Sequence, residues 1–298
     1  MFIPNSVKTI DDYAFSGCSS IENVYIGNSV SSIKKNTFLN CSAITNLHLV
    51  DGDIELYIDE EALKESPIHY LYLGRNIDIW PTSNITLNKL TIGTSVTSCP
   101  DFGKCTSLKE IIILDGENPL YISYFDKNSI ERVRIGRNLQ YSESSKKSPF
   151  SNSTTLTEAW ITDAPTSVSN YLFRGCTNLT NLYIGDNVKN IGQAAFSGCS
   201  GLKVFQFGDN LERIGSEALI DCTNITDIYA KPAVPPSCGS QALDDLNRWT
   251  CTLHVPAAYD AAYKSANQWK EFFLMDNNFD IELNRKKIEG KTGYSYQL

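Results

Sequence analysis

The sequence predicts an α/β-type repeat fold: a β-rich solenoid of about ten rungs, each ~23 residues long, with a parallel sheet on the concave face and a small α+β cap at the C-terminal end. Three observations carry this. The first two units match at a spacing of 23, with Val7, Ile10, Phe15, Cys18, Ile21, Val24 and Ile26 recurring as Val30, Ile33, Phe38, Cys41, Ile44, Leu47 and Leu49. The same spacing returns near the other end, where Val188, Ile191, Phe196, Cys199, Leu202, Phe205 and Phe207 recur as Leu211, Ile214, Leu219, Cys222, Ile225, Ile228 and Ala230. Between them a closing apolar triad persists through Ile68, Leu71, Leu73; Leu87, Leu90, Ile92; Leu108, Ile111, Ile113; Ile130, Val133, Ile135; Leu156, Ala159, Ile161; and Leu179, Leu182, Ile184.

An L-x-x-L-x-L triad at this period marks a leucine-rich repeat, in which each unit supplies one strand and a return segment. One unit cannot bury its apolar side alone, so the units must stack. Each return offers a Val-x-x-Ile pair after a Gly-Asn or Gly-Asp turn, and Ala-Phe before the cysteine, to fill the interior from the other side. The returns are short and rich in turn residues, which predicts 3₁₀ or single-turn helices there. Residues 1–230 form the array and residues 231–275 a capping module. In the cap, Cys251, Leu253 and Val255 alternate as a strand, and Pro256 suits a helix start. Tyr259, Ala262, Tyr263, Ala266 and Trp269 then follow at helical spacing, which would let the segment cover the last strand edge. Residues 276–298 are polar and repeat nothing, and read as a tail or the start of a following segment.

The unit Ile3-Pro-Asn-Ser-Val-Lys-Thr-Ile-Asp-Asp-Tyr-Ala-Phe-Ser-Gly-Cys-Ser-Ser-Ile21 closely resembles the BspA-type, or Treponema pallidum-type, leucine-rich repeat. The resemblance spans about residues 1–275, since Pro235-Pro236, Leu253-His-Val-Pro-Ala-Ala-Tyr-Asp-Ala-Ala-Tyr263 and Trp269-Lys-Glu-Phe-Phe273 look like that family's C-terminal module. It implies a cell-surface or secreted protein, mainly of host-associated bacteria and with relatives in some parasitic protists, that works in adhesion and protein interaction without catalysis. Units three to seven depart from the pattern: their cysteine is absent or displaced and their loops drift in length. Ile3–Val7 aligns with Ile26–Val30, so the chain opens at the end of a strand. We therefore expect upstream sequence including a signal peptide, an extracellular or cell-surface location, and a first strand whose free edge could self-associate.

Composition narrows the chemistry. Acidic residues outnumber basic ones 34 to 26, a net charge of −8 that disfavours nucleic acid or an anionic membrane as partner. No apolar run approaches the ~18 residues of a membrane span. Of nine cysteines, six (Cys18, Cys41, Cys105, Cys176, Cys199 and Cys222) sit three residues before a triad, with Ser153 in the same slot of the seventh unit. That periodicity suits a buried structural ladder better than zinc, which draws on C-x2-C pairs, or disulfides, whose Cβ vectors must face each other. Cys99, Cys238 and Cys251 fall outside the ladder, and a Cys238–Cys251 bridge stays open. The acidic run Asp51–Glu61 has Leu56 and Ala62 where a calcium loop needs glycine and glutamate, so we read it as a solvated loop. Gly290-Lys291-Thr292 lacks the first glycine of a phosphate loop. The histidines, His48, His69 and His254, are scattered, and only His48 falls where a strand should face outward. We expect neither an enzyme nor a cofactor or metal.

Between the last two triad residues, strand alternation turns one side chain per rung away from the core. These are Tyr25, His48, Tyr72, Thr91, Ile112, Arg134, Trp160, Tyr183, Gln206 and Tyr229. Aromatics with polar tips, aided by arginine, dominate binding hot spots and stack on sugar rings; they also favour strands for their own sake. The candidate ligand-binding residues are therefore Tyr25, His48, Tyr72, Arg134, Trp160, Tyr183 and Tyr229. The expected role is a non-enzymatic module holding a host extracellular protein or a surface glycan, with a structural spacer as the remaining alternative.

Overall fold

The computed structural model describes residues 1–81, 86–125, 129–142 and 148–277. It is a parallel β-solenoid of about eleven turns, and the four-residue strands lie where the triads place them. Strands β1 (Phe2–Ile3), β2 (Asn23–Ile26), β3 (Asn46–Leu49), β4 (Tyr70–Leu73), β5 (Lys89–Ile92), β6 (Glu110–Ile113), β7 (Arg132–Ile135), β8 (Glu158–Ile161) and β9 (Asn181–Ile184) form one nine-stranded parallel sheet. Strands β10 (Val204–Phe207), β11 (Asp227–Ala230), β12 (Thr252–His254) and β13 (Leu274–Asp276) form a second, four-stranded one. Two-residue strands such as Ser167–Val168, Asn190–Ile191, Arg213–Ile214 and Ser237–Cys238 pair along the return side.

The returns are turns, not the 3₁₀ or single-turn helices expected from their length. Alternate N–H groups reach the next rung, so no continuous helix closes: Tyr13, Phe15 and Gly17 donate to the carbonyls of Lys35, Thr37 and Leu39, while Ala14, Ser16 and Cys18 close isolated turns on Asp11, Tyr13 and Phe15. Tyr13, Asn36, Tyr171, Ala194 and Glu217 hold positive φ, which breaks helical continuity. The acidic run also corrects the loop reading. Leu56, Ile58 and Ala62 are buried and Tyr57–Ile58 is a return strand, because the apolar residues of this stretch alternate inward while the carboxylates stay outside.

The triads meet the Val-x-x-Ile pairs in one continuous core. Inside it Phe125, Phe150, Phe173 and Phe196 stack at centroid distances of 5.9, 5.9 and 5.6 Å. Cys41, Cys105, Cys176, Cys199 and Cys222 are buried and Cys18 half-buried. Four of these thiols donate to the carbonyl of a phenylalanine one rung back: Cys41 to Phe15 at 3.0 Å, Cys176 to Phe150 at 3.0 Å, Cys199 to Phe173 at 3.1 Å and Cys222 to Phe196 at 3.1 Å. Burial pushes the Cys176 and Cys222 thiols up to about 12. Cys238 and Cys251 are free, so the bridge left open by the sequence does not form.

Two arginines are wholly buried without a carboxylate. Arg75 donates to the carbonyls of Asn28, Val30 and Gly27 at 2.8, 2.6 and 3.0 Å. Arg137 does the same to Thr94, Val96 and Gly93 at 3.1, 2.8 and 2.6 Å. Each reaches across two rungs and serves as the partner that the Asn28, Val30, Thr94 and Val96 carbonyls lack, while adding a second donor to Gly27 and Gly93. Desolvation lowers Arg75 to about 10.

The cap begins as an eleventh rung, for β12 pairs in parallel with β11, and β13 with β12. Extra strands, not a helix, therefore continue the sheet edge. The helix α1 covers only Asp260–Ser265, because Ala266 is extended and Gln268 has positive φ. Tyr263 and Trp269 are buried and donate to the carbonyls of Pro232 and Pro236 at 3.1 and 2.8 Å. Of the tail, residues 278–298, including Gly290-Lys291-Thr292, lie outside the described residues.

Two outcomes follow. Thiol titration in denaturant without reductant should count nine sulfhydryls per chain, while the native protein should react slowly at all but Cys18. Arg75→Met should lower stability by about 3 kcal/mol, seen in the urea midpoint, because the Asn28 and Val30 carbonyls lose their donor and Gly27 loses one of two. Arg75→Lys should recover less than half of that, since an ammonium cannot span three acceptors as a guanidinium does.

Candidate functional site on the outer face of the sheet

The outward positions fall into strict register. Tyr25 lies beside His48, His48 beside Tyr72, Tyr72 beside Thr91, Thr91 beside Ile112, Ile112 beside Arg134, Arg134 beside Trp160 and Trp160 beside Tyr183. Phe2 precedes Tyr25. The pairing stops after β9, and Gln206, Tyr229 and His254 continue on the second sheet. The structure thus brings Tyr25, His48 and Tyr72 together, sets Arg134, Trp160 and Tyr183 as a second group, and places Tyr229 beyond the break.

His254 is the member of this column that sequence reasoning missed. Its ring stacks on Tyr229 at 4.2 Å, and its nitrogens lie 2.8 Å from Asp227 Oδ1 and 3.2 Å from Asp276 Oδ2. The signal was present: Leu253-His254-Val255 repeats the in-out-in alternation of the earlier strands.

The rings stack along the array instead of standing apart. His48 lies 4.2 Å from Tyr72 with planes 4° apart, whereas Tyr25 at 5.2 Å from His48 and Trp160 at 4.5 Å from Tyr183 are each tilted by 35°. Adjacent parallel strands sit ~4.8 Å apart, close to a ring-stacking distance, so rings in identical positions on neighbouring rungs are brought against one another. The consequence is that faces are turned to one another and edges outward. Accessibility varies: Tyr25 is 43% exposed, whereas Tyr183 at 9% and Ile112 at 6% are buried. Arg134 is engaged, both of its bonds to the Asp115 carboxylate running 2.9–3.0 Å, and Asp115 also accepts from Thr162 at 2.9 Å.

Alternation puts a second column on the same face, two residues earlier in each strand. Asn23 and Asn46 join through their amides at 2.8 Å. Farther along, Lys89 bridges Glu110 at 3.3 Å and Arg132 approaches the same carboxylate at 3.8 Å. Glu158 follows, its carboxyl pushed up by burial against the pull of Arg132, with Oε1 buried and unpartnered.

Between the two columns, over β2 to β5, runs a groove of about 350 Å³ lined by Asn23, Tyr25, Asn46, His48, Tyr70, Tyr72, Lys89 and Thr91, with the backbones of Val24, Leu47 and Leu71 as its floor. Tyr72 donates to Asp51 at 2.8 Å, and burial raises its hydroxyl well above the ordinary tyrosine value. His48 is pushed down by burial, with Asp51 opposing weakly. Because the folded state disfavours the His48 cation relative to the unfolded chain, no cost is felt well above the ordinary value of ~6.5, and one grows as pH falls through and below it. His48→Phe should therefore gain stability relative to the wild type between pH 7.5 and 5, measured as the difference in urea midpoints.

Among the described residues, no group of three or more histidine, cysteine or carboxylate side chains converges as a metal site. The model of the BspA type leucine rich repeat region matches in six copies, over residues 1–83, 75–146 and 143–244. No curated protein matches. Solved structures with detectable likeness include a leucine-rich repeat protein from Bacteroides ovatus ATCC 8483 (17% identity, 88% of this chain and 86% of that one, TM-score 0.41). A leucine rich cell surface protein from Faecalibacterium prausnitzii A2-165 is 13% identical, with 95% and 80% covered and a TM-score of 0.29. The pneumococcal vaccine antigen PcpA is 15% identical, with 89% and 76% covered and a TM-score of 0.34. With matches that run through the array from its first rung into the cap, the chain belongs to the BspA-type leucine-rich repeat family.

Proposed function

We propose that this protein is a non-enzymatic recognition module that works at a bacterial cell surface or outside the cell, holding a surface macromolecule against the outer face of its sheet. The observation that carries the reading is the groove over β2 to β5, where ring edges and amides face solvent on a rigid scaffold. Leucine-rich repeat solenoids are in general scaffolds for protein interaction, and family membership favours the surface location. No helix among the described residues is long and apolar enough to cross a membrane. Of the residues named from sequence, Tyr25, His48 and Tyr72 belong to the accessible part. Arg134, Trp160 and Tyr183 pack chiefly on one another or on Asp115, and we assign them to holding the face in shape.

Binding of labelled protein to mammalian epithelial cells and to bacterial surfaces tests this. Tyr25→Ala combined with Tyr70→Ala should lower binding at least tenfold, while Tyr57→Ala on the return side should leave it unchanged. Equal binding by all three proteins would place the contact elsewhere.

A further inference from the structure

The proposal below rests on the reading of this face as the contact surface and names what occupies it. The groove over β2 to β5 carries hydrogen-bonding groups of both kinds and little free charge. The Tyr25 and Tyr70 hydroxyls, the ring nitrogens of His48 and the Thr91 hydroxyl have no hydrogen-bond partner among the described residues, and Asn46 uses its Nδ2 on Asn23 Oδ1 and leaves its own carbonyl oxygen open. Each hydroxyl both donates and accepts, and the amides add one further donor and one further acceptor. Lys89, the cation on the lining, already faces Glu110 at 3.3 Å, and no carboxylate lines the groove. An anionic ligand would meet no unpaired cation here, and a cationic one no carboxylate. In a chain of net charge −8 this is a neutral patch with a dense mixture of donors and acceptors. A neutral ligand rich in hydroxyls satisfies it without leaving a buried charge unpaired.

The shape adds two constraints. First, the aromatic stack ends at Tyr72. On one side its ring is covered by His48 at 4.2 Å, and on the other its neighbour in register is Thr91, a short side chain followed by the buried Ile112. The step down from a phenol to a threonine leaves the second face of Tyr72 without a ring partner among the described residues, beside the groove. Second, the groove runs across the strands, so the chemistry of its walls repeats with the rungs, every ~4.8 Å. An extended peptide repeats same-side groups every ~6.6–6.8 Å and falls out of step within two rungs. Successive pyranose rings of an extended chain follow one another at nearly the rung spacing. The volume of about 350 Å³ lies at the lower end of the ~300–1,000 Å³ range of ligand sites, which suits two or three rings.

We propose that this groove binds a neutral oligosaccharide laid along the array axis, with its terminal ring turned onto the open face of Tyr72 above Thr91 and the next rings meeting the edges of Tyr72 and His48 on one wall and Tyr70 and the Asn46 amide on the other. The bound ring continues the protein's own stack by one position.

Isothermal calorimetry and saturation-transfer NMR on the full chain test it with cellotriose, mannotriose and chitotriose as neutral probes, 3′-sialyllactose as the anionic one, and a set of unstructured dodecapeptides. Saturable binding of at least one neutral trisaccharide is expected. Thr91→Phe, which fills the seat with a ring of the protein's own, should weaken it at least tenfold without lowering the urea midpoint, and Tyr72→Leu should weaken it as much while also lowering that midpoint, since the bond to Asp51 is lost. Tyr72→Phe, which keeps the ring face and loses only the hydroxyl, should stay within about threefold of the wild type. Failure of all three neutral probes at millimolar concentration overturns the proposal, as does tighter binding of sialyllactose, peptide binding that is lost in Thr91→Phe, or sugar binding indifferent to that substitution. Cell binding that still depends on Tyr25 and Tyr70 in any of these cases preserves the contact face and removes only its sugar. Cell binding indifferent to both tyrosines removes the face itself.

Discussion

The pitch of the rungs is the constraint from which the rest of this structure follows. Backbone N–H groups from strands and returns bond to the neighbouring turn, Gly27 to Ile3, Phe15 to Thr37, Gly74 to Leu49. Every rung is therefore held at the spacing of a parallel sheet, ~4.8 Å. At that distance the choice of side chain is no longer free. Where one turn crosses close above another, as at Gly185 over Thr162, a Cβ would press into the carbonyl below, and glycine is required. Inside, a slot shared between rungs must fill with something small that can also answer a carbonyl. Cysteine does both, donating to the phenylalanine carbonyl of the previous turn at 3.0–3.1 Å. Beside it, phenylalanines in equivalent positions have little choice but to stack.

The buried arginines show how the pitch is kept where the turns change. Arg75 follows a rung whose turn reads Val50-Asp51-Gly52, and Arg137 follows one that reads Leu114-Asp115-Gly116. In both cases the guanidinium passes beneath this longer turn to the carbonyls of the rung before it, starting at Gly27 or Gly93. Above each, an outward side chain holds the same aspartate, Tyr72 on Asp51 and Arg134 on Asp115. Three consecutive rungs thus act as one unit, used twice. A buried cation bonded only to carbonyls is costly on its own. It is tolerated here because the carbonyls of Asn28, Val30, Thr94 and Val96 gain in it a donor that the backbone does not supply.

Much of this was legible in the sequence because period and alternation are local. The triads fixed the strands and their register, and with them the neighbours of Tyr25, His48 and Tyr72. What escaped depended on the third dimension. The returns were read as helical from their shortness and turn residues, but every second N–H serves the next rung, a choice visible only when two rungs are side by side. His254 was hidden because a broken period made Cys251–Val255 look like the start of a different module. The Asn23–Asn46 column was available from the same alternation that revealed Tyr25, one step of two residues earlier. Gly-Arg-Asn at Gly74–Asn76 and Gly136–Asn138 was visible as a variant of the turn, yet nothing local says that an arginine there points inward.

The pitch also decides what kind of surface the aromatic column can be. Residues of one type repeated at ring-stacking distance satisfy one another, so an unbroken column of tyrosine and tryptophan consumes its own faces and exposes a row of edges. Such a row is rigid, and its outward chemistry is that of hydroxyls and ring nitrogens. Recognition by a ring face then becomes available only where the series is interrupted. The interruption at Thr91 and Ile112 comes between the stack of Tyr25, His48 and Tyr72 and the salt-bridged Arg134, and it coincides with the change in the neighbouring column from the Asn23 and Asn46 amides to the charges of Lys89, Glu110 and Arg132. Where identical rungs would give a uniform surface, specificity has to arise from such departures from the repeat. The irregular middle units, which weaken the sequence pattern, are in this sense the part of the array with the most capacity to distinguish one partner from another.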